Sequence, residues 1–431
     1  MLEKKYFTLN RVFYLGIFLL PSAPSIGAVL LLISNLIATA KRKNSYFKDY
    51  WNLPFFIMGI LIVLSCLVLS FAQYPLQTTI DQDSFLDAYN KNLLWIGLFN
   101  WLPYFWLFWS FQYFTFSPSQ RKNIGLILLY GSVPVLFTGI AQYFFKLHGP
   151  FVFLNELITW YLKPVDNYNG LSGLFSNANY TGTWLSMIWP FSIAFCIESD
   201  KKPIEKSVSY LFLVLIFICT FFTFSRNAWI GLLIGFVAIL GIKAFKYVLP
   251  VFITLSIPIL TSIGLISNKF LTEISREIVP SIFWNYKFAN IGITSLSNYG
   301  RFEIWTYAIK LIIEKPIWGW GSGSFPILFE LEASQYKGHS HNLLLELGLS
   351  FGVITALLFA TATIYLIFSS YKKRNYKVKT KENFKNDNYD HAWRTSLIII
   401  FISQLFDIQY FDFRIGIVFW LLLGGLRNFI K

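Results

Sequence analysis

Three short polar motifs interrupt an otherwise apolar chain, and each holds a residue type that binds anions or moves protons. The first, SRNAW at positions 225–229, places Arg226 between two apolar runs. A charge this close to hydrocarbon is costly without a partner, so a boundary arginine is by default a functional hypothesis. The alternative is an arginine that snorkels to the headgroups and anchors a helix end.

The second motif, GRFEIW at 300–305, puts Arg301 in the first turn of a predicted helix. The free N–H groups at the start of a helix attract anions, so an arginine at this point predicts an anion site. A solvated arginine on a surface helix is the alternative, since most arginines lie on protein surfaces.

The third motif, HSHN at 339–342, contains His339 and His341, two of only four histidines in the chain. Histidine is the side chain best suited to accept a proton near neutral pH, so this motif predicts a general base. The spacing also suits zinc, but the sequence shows no cysteine and no obvious third ligand beside it, so we predict no metal site. The alternative is a plain pair of interfacial histidines.

Two late carboxylates, Asp407 and Asp412, lie near the outer end of the penultimate apolar run. They are candidates to pair with one of the arginines or to anchor the helix end. An asparagine-rich stretch, GLFSNANY at 173–180, is typical of a helix entrance with asparagine caps.

The composition shows what kind of structure must hold these motifs. Of 431 residues, 55% are hydrophobic and only 13% are charged, which favours an integral membrane protein. The net charge of +14 comes from cations in short segments between apolar runs, where they set orientation in a bilayer. We therefore expect no nucleic-acid binding. The three cysteines all fall inside apolar runs, so neither disulfides nor thiol chemistry are expected.

Apolar runs of about 20 residues, enough to cross a bilayer, recur along the chain and predict an all-α polytopic bundle of about 12 transmembrane helices. The first run, 12–40, is broken by Pro21 and Pro24 and predicts a hairpin of two helices. The others are 54–73, 93–114, 123–145, 180–197, 208–224, 228–245, 248–266, 343–368, 396–410 and 415–430.

The positions of the lysines and arginines predict the two sides of the bundle. With Lys41, Arg42 and Lys43 taken as cytoplasmic, alternation puts most cations inside and both termini in the cytoplasm. The outer side then receives a large extracytoplasmic loop, 267–342, with a short amphipathic helix that Asn298 can cap and Pro316 ends. We expect that helix to lie along the membrane surface. The glycine-rich stretch 319–324 predicts a flexible turn, and the polar stretch 372–390 predicts a linker.

Taken together, SRNAW, GRFEIW, the PIWGWG turn at 316–321 and HSHN resemble the O-antigen ligase and polymerase superfamily of bacterial membranes. The resemblance covers roughly residues 165–425. The family's ligase signature is His, then Asn, Ser or Gln, nine residues, Gly, two residues, and Gly, Thr or Tyr. It is met by His341, Asn342, Gly352 and Thr355. The motifs divide the chain into N-terminal helices without an assigned motif, 1–160, and a ligase-like domain, 161–431.

The resemblance implies an inverting, metal-independent glycosyltransferase of the bacterial plasma membrane, with no cofactor and its site on the extracytoplasmic side. Its donor would be an undecaprenyl-diphosphate-linked glycan, and its acceptor a hydroxyl of a lipid or polysaccharide. Carried over by position, Arg226 and Arg301 would hold the diphosphate and His341 would be the base. His339, Asn342 and Asp407 are possible supporting residues.

Three other functions stay open at this point. A polymerase of O-antigen or exopolysaccharide shares the donor chemistry and differs in its acceptor. Relatives labelled as bicarbonate transporters keep a transporter possible, although such a protein should show paired repeats and midplane charges. A structural subunit without chemistry would not explain two arginines and a histidine on one side.

Overall fold

The fold is known from a computed structural model, which describes residues 2–42, 45–71, 85, 88–165, 170–198, 201–241, 246, 250, 254, 257–258, 260–262, 268–278, 300–371 and 381–430. Within these ranges the chain is almost wholly helical, as predicted, and its one described sheet pairs Phe151–Phe153 (β1) with Ile158–Trp160 (β2) in antiparallel register.

The helices follow in this order: α1 Leu2–Leu19, α2 Pro24–Lys41, α3 Leu53–Phe71, α4 Asn92–Ile96, α5 Leu102–Phe111, α6 Pro118–Gly131, α7 Val133–Phe144, α8 Ala178–Ile197, α9 Pro203–Phe222, α10 Arg226–Leu240, α11 Lys269–Ile278, α12 Arg301–Glu314, α13 Ser324–Ala333, α14 Leu343–Phe351, α15 Val353–Ser370, α16 Lys381–Ser403 and α17 Phe413–Arg427. Single 3₁₀ turns occur at Tyr50–Asn52, Gly97–Asn100 and Gly173–Phe175.

The first apolar run is a hairpin, as its two prolines predict. Helix α1 ends at Leu19 and α2 begins at Pro24, where the missing N–H of proline costs no hydrogen bond. The two helices approach closely at Gly16 and Gly27, since a Cβ added to Gly27 would lie only 2.9 Å from the carbonyl oxygen of Gly16. Small residues permit such contact between apolar helices.

Five helical segments of the described chain are long and apolar enough to cross a membrane: Pro24–Lys41, Tyr50–Phe71, Pro118–Phe144, Pro203–Phe222 and Val353–Ser370. This confirms a multi-pass membrane protein in outline. The expected count of about 12 spans is not tested, because most of the predicted run 248–266 lies outside the described residues.

Several predicted segments have different boundaries in the structure. Run 93–114 is divided among α4, the 3₁₀ turn Gly97–Asn100 and α5, and run 123–145 is divided between α6 and α7. Run 343–368 is two helices, α14 and α15, because Gly352 between them has a φ of +90°. A side chain there is excluded, since a Cβ would stand 1.9 Å from the carbonyl oxygen of Ile317. The linker expected at 372–390 is helical from Lys381 onward, as part of α16.

The motif GRFEIW and the glycine-rich turn pack against the bundle and do not stand free in the predicted loop 267–342. Helix α12 is present, and its apolar residues Ile304, Ala308 and Leu311 are buried in the protein, where α12 packs on α14. The glycine-rich turn is also docked, because the N–H of Trp320 donates to the carbonyl of Leu349 at 2.8 Å. These contacts fix the segment that leads into HSHN.

Helices α8 and α16 form the antiparallel pair that separates the two ends of the molecule. At one end Asn179 of α8 lies beside the turn that follows α16, and at the other Tyr389 of α16 donates to Glu198 after α8. With 20 residues and a rise of 1.5 Å per residue, α8 spans about 30 Å. We call the end with Asn179 the motif end and the end with Glu198 the opposite end.

Candidate active site

A histidine–carboxylate pair is the centre of the motif end. His341 Nδ1 lies 2.8 Å from Asp407 Oδ1. The His341 side chain is 28% exposed and that of Asp407 only 7%, so the carboxylate is held inside and the imidazole reaches outward. Since a carboxylate only accepts hydrogen bonds, Nδ1 of His341 carries the proton. In the neutral imidazole Nε2 then has a lone pair that can take a proton. The site therefore presents a base whose ring is oriented by an acid.

The backbone at His341 adopts a conformation that few side chains take. Its φ is +55°, in the left-handed region, which costs roughly 1–2 kcal/mol for a residue other than glycine. The N–H of His341 donates to Nδ1 of His339 at 3.1 Å, and the next residue, Asn342, caps α14 by accepting from Leu344 and Leu345. Surrounding contacts thus hold a strained turn, which is common where a side chain must be aimed.

The loop with His341 is tied directly to the turn with Asp407. The N–H of Leu343 donates to the carbonyl of Gln404 at 2.9 Å, and the amide of Asn342 donates to the carbonyl of Leu405 at 3.0 Å. Asn342 therefore has a structural role beside the pair, which agrees with its predicted supporting place.

Asp407 is itself held by hydrogen bonds to both oxygens. Asn179 Nδ2 donates to Oδ2 at 3.0 Å, while the N–H of Ile408 donates to Oδ1 at 3.2 Å. Burial raises the pKa of Asp407, but the hydrogen bond and charge of His341, with the charges of His339 and Arg301, outweigh it and lower the pKa overall. The carboxylate is therefore ionised at neutral pH.

His339 supports the turn and stays neutral. Burial, with the charges of His341 and Arg301, lowers the pKa of His339 to about 4, although Asp407 acts the other way. A neutral ring agrees with its geometry, because Nδ1 must keep a lone pair to accept from the backbone N–H of His341. The two rings meet edge to face with centroids 4.4 Å apart.

Arg301 lies at the same site. It is the first residue of α12, is exposed, and its charge acts on both His339 and Asp407. The structure therefore brings Arg301 and the histidine pair together, as the sequence motifs predict.

Arg226 lies on the motif end without touching the histidine pair. It is exposed at the start of α10, and its neighbour Asn227 donates to Oγ and the carbonyl of Ser403 at 2.7 and 3.0 Å. The carbonyl of Ser403 also accepts from the N–H of Asp407, so Asn227, the neighbour of Arg226, and the backbone of Asp407 bind the same residue. Within the described chain no hydrogen bond joins Arg226 to His341 or Asp407.

The remaining signature residues have structural explanations. Gly352 permits the break before α15, and Thr355 donates to the carbonyl of Phe351 at 3.1 Å inside the protein. Asp412 caps α17 and pairs with Arg414, which also donates to the carbonyl of Leu174. Asp412 is thus a helix anchor and binds neither candidate arginine in the described structure.

The sequence argument against a metal needs one correction. It found no third ligand near the histidines, yet Asp407 supplies one: potential ligand atoms of His339, His341 and Asp407 all lie within 4.8 Å of one another. The distance in sequence hid this carboxylate. In the structure, Nδ1 of each histidine and both oxygens of Asp407 are already engaged in hydrogen bonds.

Two residues of the site were not identified from the sequence. Asn179 was read only as part of a helix entrance; Asn177 does cap α8, but Asn179 also reaches Asp407. Glu346 is 6% exposed and accepts from the N–H of Ser340 at 2.9 Å. Burial raises the pKa of this carboxyl, partly offset by the Ser340 hydrogen bonds. A glutamate within an apolar run was the signal for it.

Comparison with known proteins gives a family match over part of the chain. Residues 211–360 match a family model described as O-Antigen ligase. The matched segment contains Arg226, Arg301, His339, His341 and Asn342, whereas Asn179 and Asp407 lie outside it. The match confirms the resemblance to the O-antigen ligase superfamily and supports a membrane glycosyltransferase of the ligase or polymerase kind. Among curated proteins the chain has no match.

Proposed function

We propose that this chain, which carries an O-antigen ligase domain, transfers a glycan from an undecaprenyl-diphosphate donor to an acceptor hydroxyl at the outer face of the bacterial plasma membrane. The observation that carries the proposal is the hydrogen bond between His341 and Asp407 beside the exposed Arg301. A base and a cation at one site are what a transfer from a diphosphate requires.

His341 acts as the base. Its Nε2 removes the proton of the acceptor hydroxyl while the hydroxyl oxygen attacks the sugar C1, and Asp407 stabilises the resulting imidazolium. Asn179 and Asn342 position this pair through their hydrogen bonds to Asp407 and to the 404–407 turn.

Arg226 and Arg301 bind the leaving group. The bond between C1 and the diphosphate oxygen breaks as the acceptor bond forms, and its electron pair leaves on the diphosphate. Guanidinium groups stabilise that charge by paired, charge-assisted hydrogen bonds. Attack from the face opposite the leaving group inverts C1, and no cofactor or metal takes part.

The hydrogen bonds of the site favour the base over a metal ligand. A metal bound through Nδ1 of His339 and His341 would displace the hydrogen bonds that both nitrogens now make, and one bound through Nε2 of His341 would occupy the atom that the base needs. An oriented base needs the observed contact between His341 and Asp407 unchanged. Zinc sites normally use the same residue types, so the choice needs a direct test.

The test is glycan transfer from a purified lipid-linked donor at matched protein levels, with and without EDTA. If His341 is the base, His341→Ala should reduce transfer by roughly 10²- to 10⁴-fold with donor binding retained, and EDTA should have no effect. His339→Asn, which keeps an acceptor for the N–H of His341, serves as the matched control and should cost little.

Each other result would change the assignment. Full activity in His341→Ala would remove the mechanism. Loss of activity with EDTA and with both histidine variants would replace it with a metal-dependent one, because each treatment removes the same ion. If the product grows by repeat units on the lipid carrier, the protein is a polymerase of the same chemistry.

A further inference from the structure

A cavity of about 220 Å³ lies next to the histidine motif, and the proposed reaction has not used it. The segment 93–101 forms one wall, and residues from the glycine-rich turn and α14 form the other. Its lining includes Gly338, one residue before His339, so the cavity lies at the start of the histidine motif. It therefore joins the N-terminal helices, which lack a motif, to the catalytic loop.

Glu346 is the one ionisable residue of the described lining. Its Oε2 accepts from the N–H of Ser340, which lies between the two histidines, and the side chain also lines the cavity. A buried carboxyl group is costly unless its oxygens have donors. It can accept hydrogen bonds from an occupant that carries hydroxyl groups.

The rest of the lining fits a sugar. Asn100, Ser322 and Ser350 offer amide and hydroxyl groups, while Trp101 and Phe351 offer flat apolar surfaces. A few placed polar groups among aromatic side chains are typical of small-molecule sites. At about 30 Å³ per water, the space equals roughly seven waters, which suits one ring-sized group.

The lining does not suit the donor's diphosphate, because the described lining residues include no lysine or arginine to bind its charge. The donor sugar is bonded to the diphosphate through C1, so it must lie beside the arginines. The acceptor sugar has no such tie and must only bring one hydroxyl to His341.

We propose that this cavity binds the sugar ring that carries the acceptor hydroxyl, an inference that rests on the proposed function. Glu346 accepts hydrogen bonds from the other hydroxyl groups of that ring. The ligand is thus an uncharged pyranose unit, and the N-terminal helices contribute to acceptor recognition through Asn100 and Trp101.

The test measures cavity occupancy without requiring transfer. Leu93, a half-buried lining residue, is replaced by cysteine in a Cys196→Ser background; Cys66 and Cys219 are buried. Labelling of Leu93→Cys by a maleimide is followed with added methyl glucoside, methyl galactoside or methyl N-acetylglucosaminide, and separately with undecaprenyl diphosphate. We expect at least one glycoside, at about millimolar concentration, to slow labelling and undecaprenyl diphosphate to leave it unchanged.

Glu346→Gln keeps the side-chain volume and an acceptor for Ser340 but replaces one carboxyl oxygen by an NH₂ group that cannot accept. It should raise the half-protecting glycoside concentration about 3- to 10-fold, the usual value of one lost hydrogen bond. Asn100→Ala should weaken protection from the other wall. Glu332→Gln, an exposed carboxyl paired loosely with Lys310 at 3.7 Å, is the matched control and should change nothing.

The outcomes separate this proposal from the general one. Protection that survives in His341→Ala while transfer is lost supports both. Protection in a protein without any transferase activity supports the sugar site and removes the enzyme. Protection by undecaprenyl diphosphate would assign the cavity to the donor and overturn the proposal, as would unchanged labelling with every glycoside.

Discussion

Arginines lie at both ends of the α8 and α16 pair, but their surroundings differ. At the opposite end, Arg121 is fully buried and makes two 2.7 Å hydrogen bonds to Asp390, with further donation to the carbonyls of Thr115 and Phe116. Arg427 pairs with Asp49 in the same way, and Lys122 with Glu198. Every one of these cations has a carboxylate from another part of the chain.

At the motif end, Arg226 and Arg301 are exposed and form no ion pair with a carboxylate in the described chain. Two pairs lie there, Arg414 with Asp412 and His341 with Asp407, and in the second the acid is buried while the base is reachable. Residue type alone therefore does not distinguish a structural arginine from a ligand-binding one. The two differ in whether a carboxylate of the protein already pairs with the guanidinium.

Replacement of Arg121, whose charge is paired with Asp390, should have the largest effect, and this effect should be on stability. Arg121→Leu leaves Asp390 buried without its main partner, which typically costs about 3–5 kcal/mol. We expect lower accumulation and earlier thermal unfolding in detergent, with transfer per folded molecule unchanged. Arg121→Leu combined with Asp390→Leu should recover most of the loss. If Arg121→Leu were as stable as the parent, the opposite end would not be a structural cluster.

Exchange of the unsatisfied arginines should affect transfer and spare stability. Arg226→Lys and Arg301→Lys keep the charge but lose the paired hydrogen-bond geometry, so each should reduce transfer about 10- to 100-fold at normal accumulation. Arg11→Lys, an exposed arginine that the positive-inside count places in the cytoplasm, is the control. Normal transfer in either variant would reduce that arginine to a membrane anchor.

Loss of one contact to the buried acid should have a smaller effect. Asn179→Ala removes a hydrogen bond to a charged group, so Asp407 and His341 should be held less firmly and transfer should fall by about 10-fold. A positioning role predicts a lower kcat with an unchanged KM for the donor. A changed donor KM with a normal kcat would mean that Asn179 contacts substrate instead.

The neutral histidine should give the smallest effect. Because the pKa of His339 is about 4, its ring carries no charge that titrates between about pH 5 and 8. His339→Asn keeps an acceptor for the N–H of His341, so the pH profile of transfer should not move in this range. A shift of the low-pH limb of this profile in His339→Asn would show that His339 titrates during transfer.

Much of the motif end could be predicted from local sequence. Arg301 followed by a helical apolar pattern, and His341 followed by Asn342 and an apolar helix, predict helix starts with an anion site and a base, and α12 and α14 begin there. The two prolines of the first run likewise predicted the hairpin. Such features depend on neighbours within a few residues, which is why sequence patterns show them.

The contacts that complete the site join residues far apart in the chain. Asp407 is separated from His341 by α14, α15 and α16, and Asn179 reaches it from α8. No pattern in the sequence specifies that these ends meet, so Asp407 was missed as a third potential metal ligand and Asn179 was read as a cap.

The sequence by itself thus determined the membrane class, the helical architecture and the identity of the charged motifs, because hydrophobic length, proline positions and residue chemistry act locally. Only the tertiary structure decided which charges are satisfied. Arg121 and Arg226 both lie near the ends of apolar helices, yet packing brings Asp390 to the first and leaves the second exposed. Burial and partnership depend on how distant helices pack, and they determine which arginines are available to a ligand.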